Sequence, residues 1–246
     1  MSKENGAITK SIVRVHFASS NTTLSYFNDT FDLHIGDIVY VEGKLEGQRG
    51  RVVDVTYNFK IKVSDYKRVI SKADTNVRGE LLMAGSHFIT FDREVIPYSK
   101  VISWYKAPEN SEEVYITGND DTSVTLDDLS ALNIKPEIGE RGHDYYLNNK
   151  VRYLCIDNGH GRAIVEGTKP YEVEFDYIDG KLSGIVCDCF CSYTCKHEVA
   201  TILQLREIWD YIKENHPEYG DYFAAVNMAS LFLFAVDGKK TGTIIL

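Results

Sequence analysis

The run CDCFCSYTCKH, residues 187–197, constrains what this chain can fold into more than any other stretch. It holds a Cys-x-Cys pair, Cys187 and Cys189, and a Cys-x-His pair, Cys195 and His197, with five residues between the pairs. Three thiolates and one imidazole are the donor set of a closed tetrahedral Zn²⁺ site, which keeps no position open for a substrate. The residues before it, Ile185-Val186-Cys187, read as a strand. After it, Val199, Ile202, Leu203, Arg206, Trp209 and Ile212 repeat at helical spacing until Pro217 ends the run. In a strand, Cys187 and Cys189 point to the same side. On a helix, residues two apart diverge by roughly 200°, so Cys195 and His197 share one ion only if the helix is just starting there. Thr194 is the expected N-cap, and the positive end of the helix favours a thiolate.

The CxC, short spacer and CxH, followed at once by an apolar helix, resemble the SWIM-type zinc finger. The stretch Gly161-Arg162-Ala163-Ile164-Val165-Glu166-Gly167-Thr168-Lys169-Pro170-Tyr171-Glu172-Val173 resembles the small strands that lead into that finger. The resemblance covers roughly residues 145–212. It implies Cys187, Cys189, Cys195 and His197 as the Zn²⁺ ligands. It also implies a DNA-binding or protein-interacting module, of the kind often attached to helicases, transposases or ligases; no such catalytic domain is visible in this sequence. Cys191 lies inside the spacer, so five candidate ligands meet four places; it is expected to be a non-ligand thiol, able to exchange with Cys189 or to oxidise. Cys155, in the apolar run from Val151 to Ile156, is expected to be a small core residue.

A disulfide framework fits the cysteines less well than a metal. Four of the five lie within nine residues, and the opening MSKENGAITK is polar, with no signal segment. Both point to a reducing, cytoplasmic setting. At 246 residues, 43% hydrophobic and 26% charged, the chain has the composition of a soluble protein with one large or two smaller domains. The apolar run Leu231–Val236 is too short to cross a membrane. With Asp237-Gly238 and Thr243–Leu246 it reads as a terminal β-hairpin, preceded by a helix over Tyr219–Asn227.

The first part of the chain reads as β-rich. Ser11–Phe17, Thr22–Phe27, Phe31–Glu42, Arg51–Val55 and Tyr57–Val63 are short runs separated by turn residues, and Val101–Tyr105 reads as a later strand. This spacing predicts a small barrel or sandwich over residues 1–108. The phrase around Gly36-Asp37, followed by Arg49-Gly50-Arg51-Val52-Val53, resembles small SH3- or OB-like domains, including the DNA-binding domain of primosomal helicases. Residues 109–144 are acidic, with Glu112, Glu113, Asp120, Asp121, Asp127, Asp128, Glu137, Glu140 and Asp144, and read as a connector with a short helix from Thr125. Residues 145–246 form the zinc domain, with its C-terminal helix and hairpin. The fold class is therefore α+β.

Net charge is −9, unevenly placed: residues 1–110 hold 15 Lys and Arg against 13 Asp and Glu, whereas 111–246 hold 12 against 23. The acidic half carries the zinc site, so nucleic acid is better sought at the other half. There Lys44, Arg49, Arg51, Lys60, Lys62, Lys67 and Arg68 cluster in sequence. Phe59, Ile61 and Val63 are expected to point inward, leaving Lys60 and Lys62 outward, with Tyr57 and Tyr66 available to stack on bases. Glu46, Asp54 and Asp65 interrupt the cluster, as on an ordinary solvated face. There is no phosphate loop, dinucleotide fingerprint or nucleophile elbow. His143-Asp144 and His160 lie in Gly-flanked loops and read as polar turn residues as easily as catalytic ones, and among the neighbours of the proposed ligands only Glu198 beside His197 invites a hydrolytic reading. The expected function is a non-enzymatic zinc protein that binds nucleic acid or docks on a nucleic-acid-processing complex. In the second case exposed aromatics such as Tyr171, Tyr193 or Trp209 would carry the contact. An acidic inhibitor that mimics DNA and a zinc-dependent hydrolase are the alternatives.

Overall fold

Alternating apolar residues in Ser11–Phe17 place Val13, Val15 and Phe17 on one buried face, and this strand, β1, organises the first sheet. The computed structural model describes residues 10–108, 118 and 121–236. The described residues divide into two compact units: 10–76, 99–108 and 233–236 form the first, and 77–98, 118 and 121–232 the second. Residues 77–98 group with the second unit.

In the first unit, β1 joins β2 (Thr22–Asn28), β3 (Ile38–Val41), β4 (Gly50–Thr56) and β5 (Val69–Lys72) in a sheet of order β2-β1-β4-β3-β5. Neighbouring strands are antiparallel. Val13, Val15, Phe17, Tyr26, Leu33, Val39, Val41, Val52 and Val69 form its core. The sheet is not a closed barrel; an isolated parallel bridge joins Phe27 of β2 to Arg68, the residue just before β5. The Gly-Asp device works as a turn: Gly36 has φ of 97°, and Asp37 Oδ2 accepts the His34 N–H at 2.7 Å.

Two expected strands of this unit are absent. Tyr57–Lys62 has no regular structure, and a 3-10 turn follows at Val63–Asp65 with Val63 exposed, so Phe59, Ile61 and Val63 do not form an inward row. Val101–Tyr105 is helical or turn: α1 is Tyr98–Ile102, and Trp104 is fully buried with its Nε1–H donated to the Asp74 carbonyl at 2.7 Å. A buried indole needs that acceptor, which fixes the segment more strongly than its strand-like composition.

The second unit has an eight-stranded antiparallel sheet. Its strands are β6 (Leu82–Ala84), β7 (His87–Thr90), β8 (Ser123–Thr125), β9 (Val151–Asp157), β10 (His160–Glu166), β11 (Pro170–Ile178), β12 (Lys181–Cys187) and β13 (Tyr222–Asn227). Their order is β6-β7-β13-β9-β10-β11-β12-β8. Two longer helices belong to this unit, α2 (Pro136–Leu147) and α3 (Lys196–Asn215). Ala200, Ile202, Leu205, Ile208 and Ile212 of α3 share one core with Leu154, Ile156, Ala163, Val165, Val173 and Phe175 of the sheet. No helix among the described residues is long and apolar enough to cross a membrane.

The ending differs from expectation. Tyr222–Asn227 is β13 rather than a helix, buried along its whole length between β7 and β9. Leu231–Val236 is helical rather than a hairpin strand: α4 (Met228–Leu231) runs into a π-helical turn at Phe232–Val236. The remainder of the expected hairpin, from Asp237, lies outside the described residues, as do Glu112, Glu113 and Asp120 of the acidic connector. Of that connector's predicted helix from Thr125, only a 3-10 turn at Ser130–Leu132 forms, while α2 takes up its C-terminal end.

Helix α2 packs directly on α3, and Gly142 is the reason it can. A Cβ at Gly142 would lie 2.4 Å from Val199 Cγ1 and 3.2 Å from the Lys196 carbonyl oxygen. Gly to Ala inside a helix normally stabilises by roughly 1 kcal/mol. Here overpacking should win, and G142A is expected to destabilise the second unit by about 1–3 kcal/mol in urea titrations.

Candidate metal centre

Strand β12 delivers Cys187 at its last residue, and Cys195 stands at the N-cap of α3 with extended backbone, φ −101° and ψ 169°. This meets the geometric condition for a CxH pair: Cys195 is outside the helix and His197 is in its first turn. The N-cap is Cys195 itself, not Thr194. Its Sγ accepts the Glu198 N–H, and its own N–H is donated to Glu198 Oε2 at 2.9 Å, a capping box with sulfur in place of oxygen.

Donor atoms of Cys187, Cys189, Cys195 and His197 all lie within 4.8 Å of one another, and the group could hold a metal ion. Cys187 Sγ and Cys195 Sγ are each 3.6 Å from His197 Nδ1. An ion with metal–sulfur bonds of about 2.3 Å and a metal–nitrogen bond of about 2.0–2.1 Å, at tetrahedral angles, places sulfur and nitrogen about 3.6 Å apart. The donor set therefore fits such an ion in distance as well as in kind. Cys191 is exposed and outside the group, and Phe190 at the tip of the loop is fully exposed.

The electrostatics point the same way. A hydrogen bond from Cys187 holds the Cys195 thiol down to about 4 despite its burial, helped by His197 and the Glu198 N–H. That shared proton and burial push Cys187 far up, and burial raises Cys189 to about 12. Protein groups alone support one thiolate in this pocket; three require a cation among them. Burial, then the Cys195 thiolate, raises Glu198 to about 8. A cavity of about 700 Å³ adjoins the cluster, with Leu132, Ile185, Cys187, Tyr193 and Glu198 among its walls.

Aromatic rings wall in the imidazole. Tyr171 stacks on His197 with centroids 4.1 Å apart and planes 20° off parallel, and Tyr145 meets it edge-on at 5.6 Å. Sequence reading placed Tyr171 and Trp209 among exposed docking aromatics, and both are half-buried; Trp209 packs on Tyr177, Tyr219 and Phe223. Tyr193 is half exposed, beneath Lys135 Nζ at 5.1 Å. The signal for Tyr171 was strand register: Val173 pairs with Cys187, so alternation puts Tyr171 on the cysteine side of the sheet.

Other residues singled out from sequence lie elsewhere. Cys155 is buried in β9, with its thiol pushed up to about 11 by burial, as a core residue should be. His143 is on the exposed side of α2, and His160 pairs with Asp176 across β10 and β11 at 3.2 Å. Of the basic cluster, three arginines are held by the protein. Arg49 donates to the Trp104 carbonyl and lies over Phe234, Arg51 donates to the Gly36 and Leu233 carbonyls, and Arg68 pairs with Asp29 over the Phe27 ring. Lys44, Lys60, Lys62 and Lys67 are exposed, with Lys62 4.0 Å from Asp65.

The chain is similar to Uncharacterized protein MJ1493 of Methanocaldococcus jannaschii, 38% identical over 74 residues. That match covers 30% of this chain and 31% of the relative, so the chain spans about a third of the length of the curated protein it matches. No family model and no solved structure matches the chain.

Proposed function

We propose that this chain is a non-catalytic binding protein whose second unit is a SWIM-type module built on a structural Zn²⁺, and whose first unit contacts nucleic acid. One observation carries the reading: four protein donors lie within 4.8 Å of one another, with the Cys187 and Cys195 sulfurs each 3.6 Å from His197 Nδ1, enough to fill a tetrahedral shell without water or substrate. Cys187, Cys189, Cys195 and His197 would hold the ion. When bound, it supplies the positive charge that lets three thiolates share one buried pocket, and it ties the end of β12 to the start of α3. The Glu198 carboxylate, the nearest candidate base, is occupied with the Cys195 N–H. This favours a structural role over hydrolysis.

Nucleic-acid contact is assigned to Lys44, Lys60, Lys62 and Lys67, because their ammonium groups are exposed while the neighbouring arginines serve the fold. Tyr57, half exposed on the same loop as Lys60, adds a stacking surface. Titration against single- and double-stranded DNA and RNA at several salt concentrations tests the assignment. Affinity is expected to fall steeply with salt, by a log–log slope of about 0.7 per phosphate contact for single strands. K60E/K62E should weaken binding about tenfold or more and flatten that slope. Salt-independent binding, or an unchanged K60E/K62E, would move the contact to a protein partner.

A further inference from the structure

Metal-ligating histidines usually donate their second ring nitrogen to a carboxylate or carbonyl, which fixes the ring. His197 departs from that arrangement. Its Nδ1 is equidistant from two cysteine sulfurs, whereas its Nε2 is buried with no hydrogen-bond partner among the described residues. What faces the ring instead is Tyr171, stacked on it and anchored through its hydroxyl to Thr168 Oγ1 at 2.9 Å. Gly167 leaves the space for this pair: a Cβ there would lie 2.9 Å from Tyr171 Cε2 and 3.4 Å from His197 Nε2. Tyr145 closes the edge, with Lys196 Nζ 4.6 Å from its ring centre.

We propose that Tyr171 is the positioning residue of the metal centre, holding the imidazole by face stacking so that Nδ1 is the ligating atom and Nε2 carries the proton. The assignment rests on the metal-centre reading above, and goes beyond it by naming the ligating atom and the residue that selects it. A stack constrains the tilt of the ring, while the backbone of the first helical turn sets its height. Together they leave Nδ1 as the atom at the sulfur cluster.

The test uses the full chain. Metal content is first measured by elemental analysis on protein purified without added zinc and again after loading with Zn²⁺. Nitrogen-15 labelled histidine is then followed by long-range proton–nitrogen NMR in Cd-113-loaded protein. The expected result is cadmium coupling at His197 Nδ1 and a protonated Nε2. Coupling at Nε2 overturns the proposal while leaving the metal centre intact; absence of any bound metal overturns the metal-centre reading instead. Y171F keeps the ring and should retain affinity within a fewfold, whereas Y171L should bind Zn²⁺ about 10–100-fold more weakly in competition with a chromophoric chelator. Wild-type affinity in Y171L overturns the positioning role. If Y171L fails to fold, G167A provides the second arm, because its methyl group presses on the same ring edge and should lower affinity in the same direction. Unchanged affinity there likewise counts against the role.

Discussion

Chelating the metal from the purified chain is expected to unravel the knuckle at 187–197 and to lower the stability of the second unit by several kcal/mol. Zinc-finger peptides gain about 10–16 kcal/mol of apparent binding free energy from their ion. Only part of that should appear here, because α3 and the sheet keep an apolar core of their own. With free metal at 1,000 times its dissociation constant, linkage gives about 4 kcal/mol. For a chain of this size that corresponds to a melting temperature lower by roughly 10 °C. C195S and H197A should reproduce the loss without chelator, since each removes one of the two buried donors of the group. C191S should not, because Cys191 is exposed and outside it. Equal melting curves with and without chelator would falsify the structural role of the ion.

Acidification from pH 7 to pH 4 is expected to cost the second unit about 3 kcal/mol through His87 alone. This side chain is fully buried, with Nε2 2.9 Å from the Val151 carbonyl oxygen and Nδ1 3.0 Å from Ser86 Oγ. Burial, against the Val151 hydrogen bond and with help from Arg152, holds it down to about 4 from its ordinary 6.5. Between those values the unfolded chain binds a proton that the folded chain refuses. Stability from this group is therefore complete above about pH 6.5 and drains away as pH falls towards 4. At about 1.4 kcal/mol per pH unit the window amounts to about 3 kcal/mol. H87Q should be less stable than the parent at neutral pH but lose less on acidification, and the difference between the two profiles isolates the histidine. Protonation of the cysteine ligands acts on both proteins alike and cancels in the comparison. Glu172 works with the opposite sign. Burial, then Asp188 and Glu174, raise its carboxyl to about 7 from its ordinary 4.5, so its contribution is complete below about pH 4.5 and is lost as pH rises towards 7. E172Q should accordingly steepen the loss of stability on acidification from about pH 7 to pH 4.5. Parallel curves for H87Q and the parent chain between pH 4 and 7 would remove His87 from the account.

The candidate metal centre could be read in sequence because the grouping of its residues is local. The expected strand stops at Cys187 and Cys189 follows in the bend beyond it, while a helix start places Cys195 beside His197, so the four candidate donors are gathered within eleven residues. The strands Val151–Asp157 and His160–Glu166 could be read for a similar reason, as runs of β-branched and apolar residues broken by a turn at Asn158-Gly159. Helix α2 could not. Its sequence, PEIGERGHDYYL, carries few apolar residues, and its contact with α3 runs through Gly142, which has no side chain to mark a face. Tyr222–Asn227 misled in the opposite way. Its Ala-rich pattern suits a helix, but the position between β7 and β9 demanded a strand buried on both faces, where small residues pack as well as branched ones.

The basic cluster shows where reading by proximity stops. Seven cations close in sequence became two populations, arginines spent on carbonyls, a carboxylate and ring faces, and lysines left in solvent. A guanidinium is planar, weakly hydrated and able to donate in several directions, so it is readily taken into a fold, whereas an ammonium prefers water. Residue type alone thus hinted at the division, but which carbonyls were within reach depended on chain segments as distant as Trp104 and Leu233.

By itself, the sequence determined the identity of the four donors and the strand-then-helix setting that gathers them, because both depend on backbone periods a few residues long. Only the tertiary structure decided what holds the imidazole, through Tyr171 arriving from a neighbouring strand and Gly167 making room for it. It alone also decided that His87 must stay neutral, since that follows from complete removal from water by β13 and β9. Ligand chemistry is written in nearby residues. Orientation and proton affinity are set by whatever the rest of the chain packs around them.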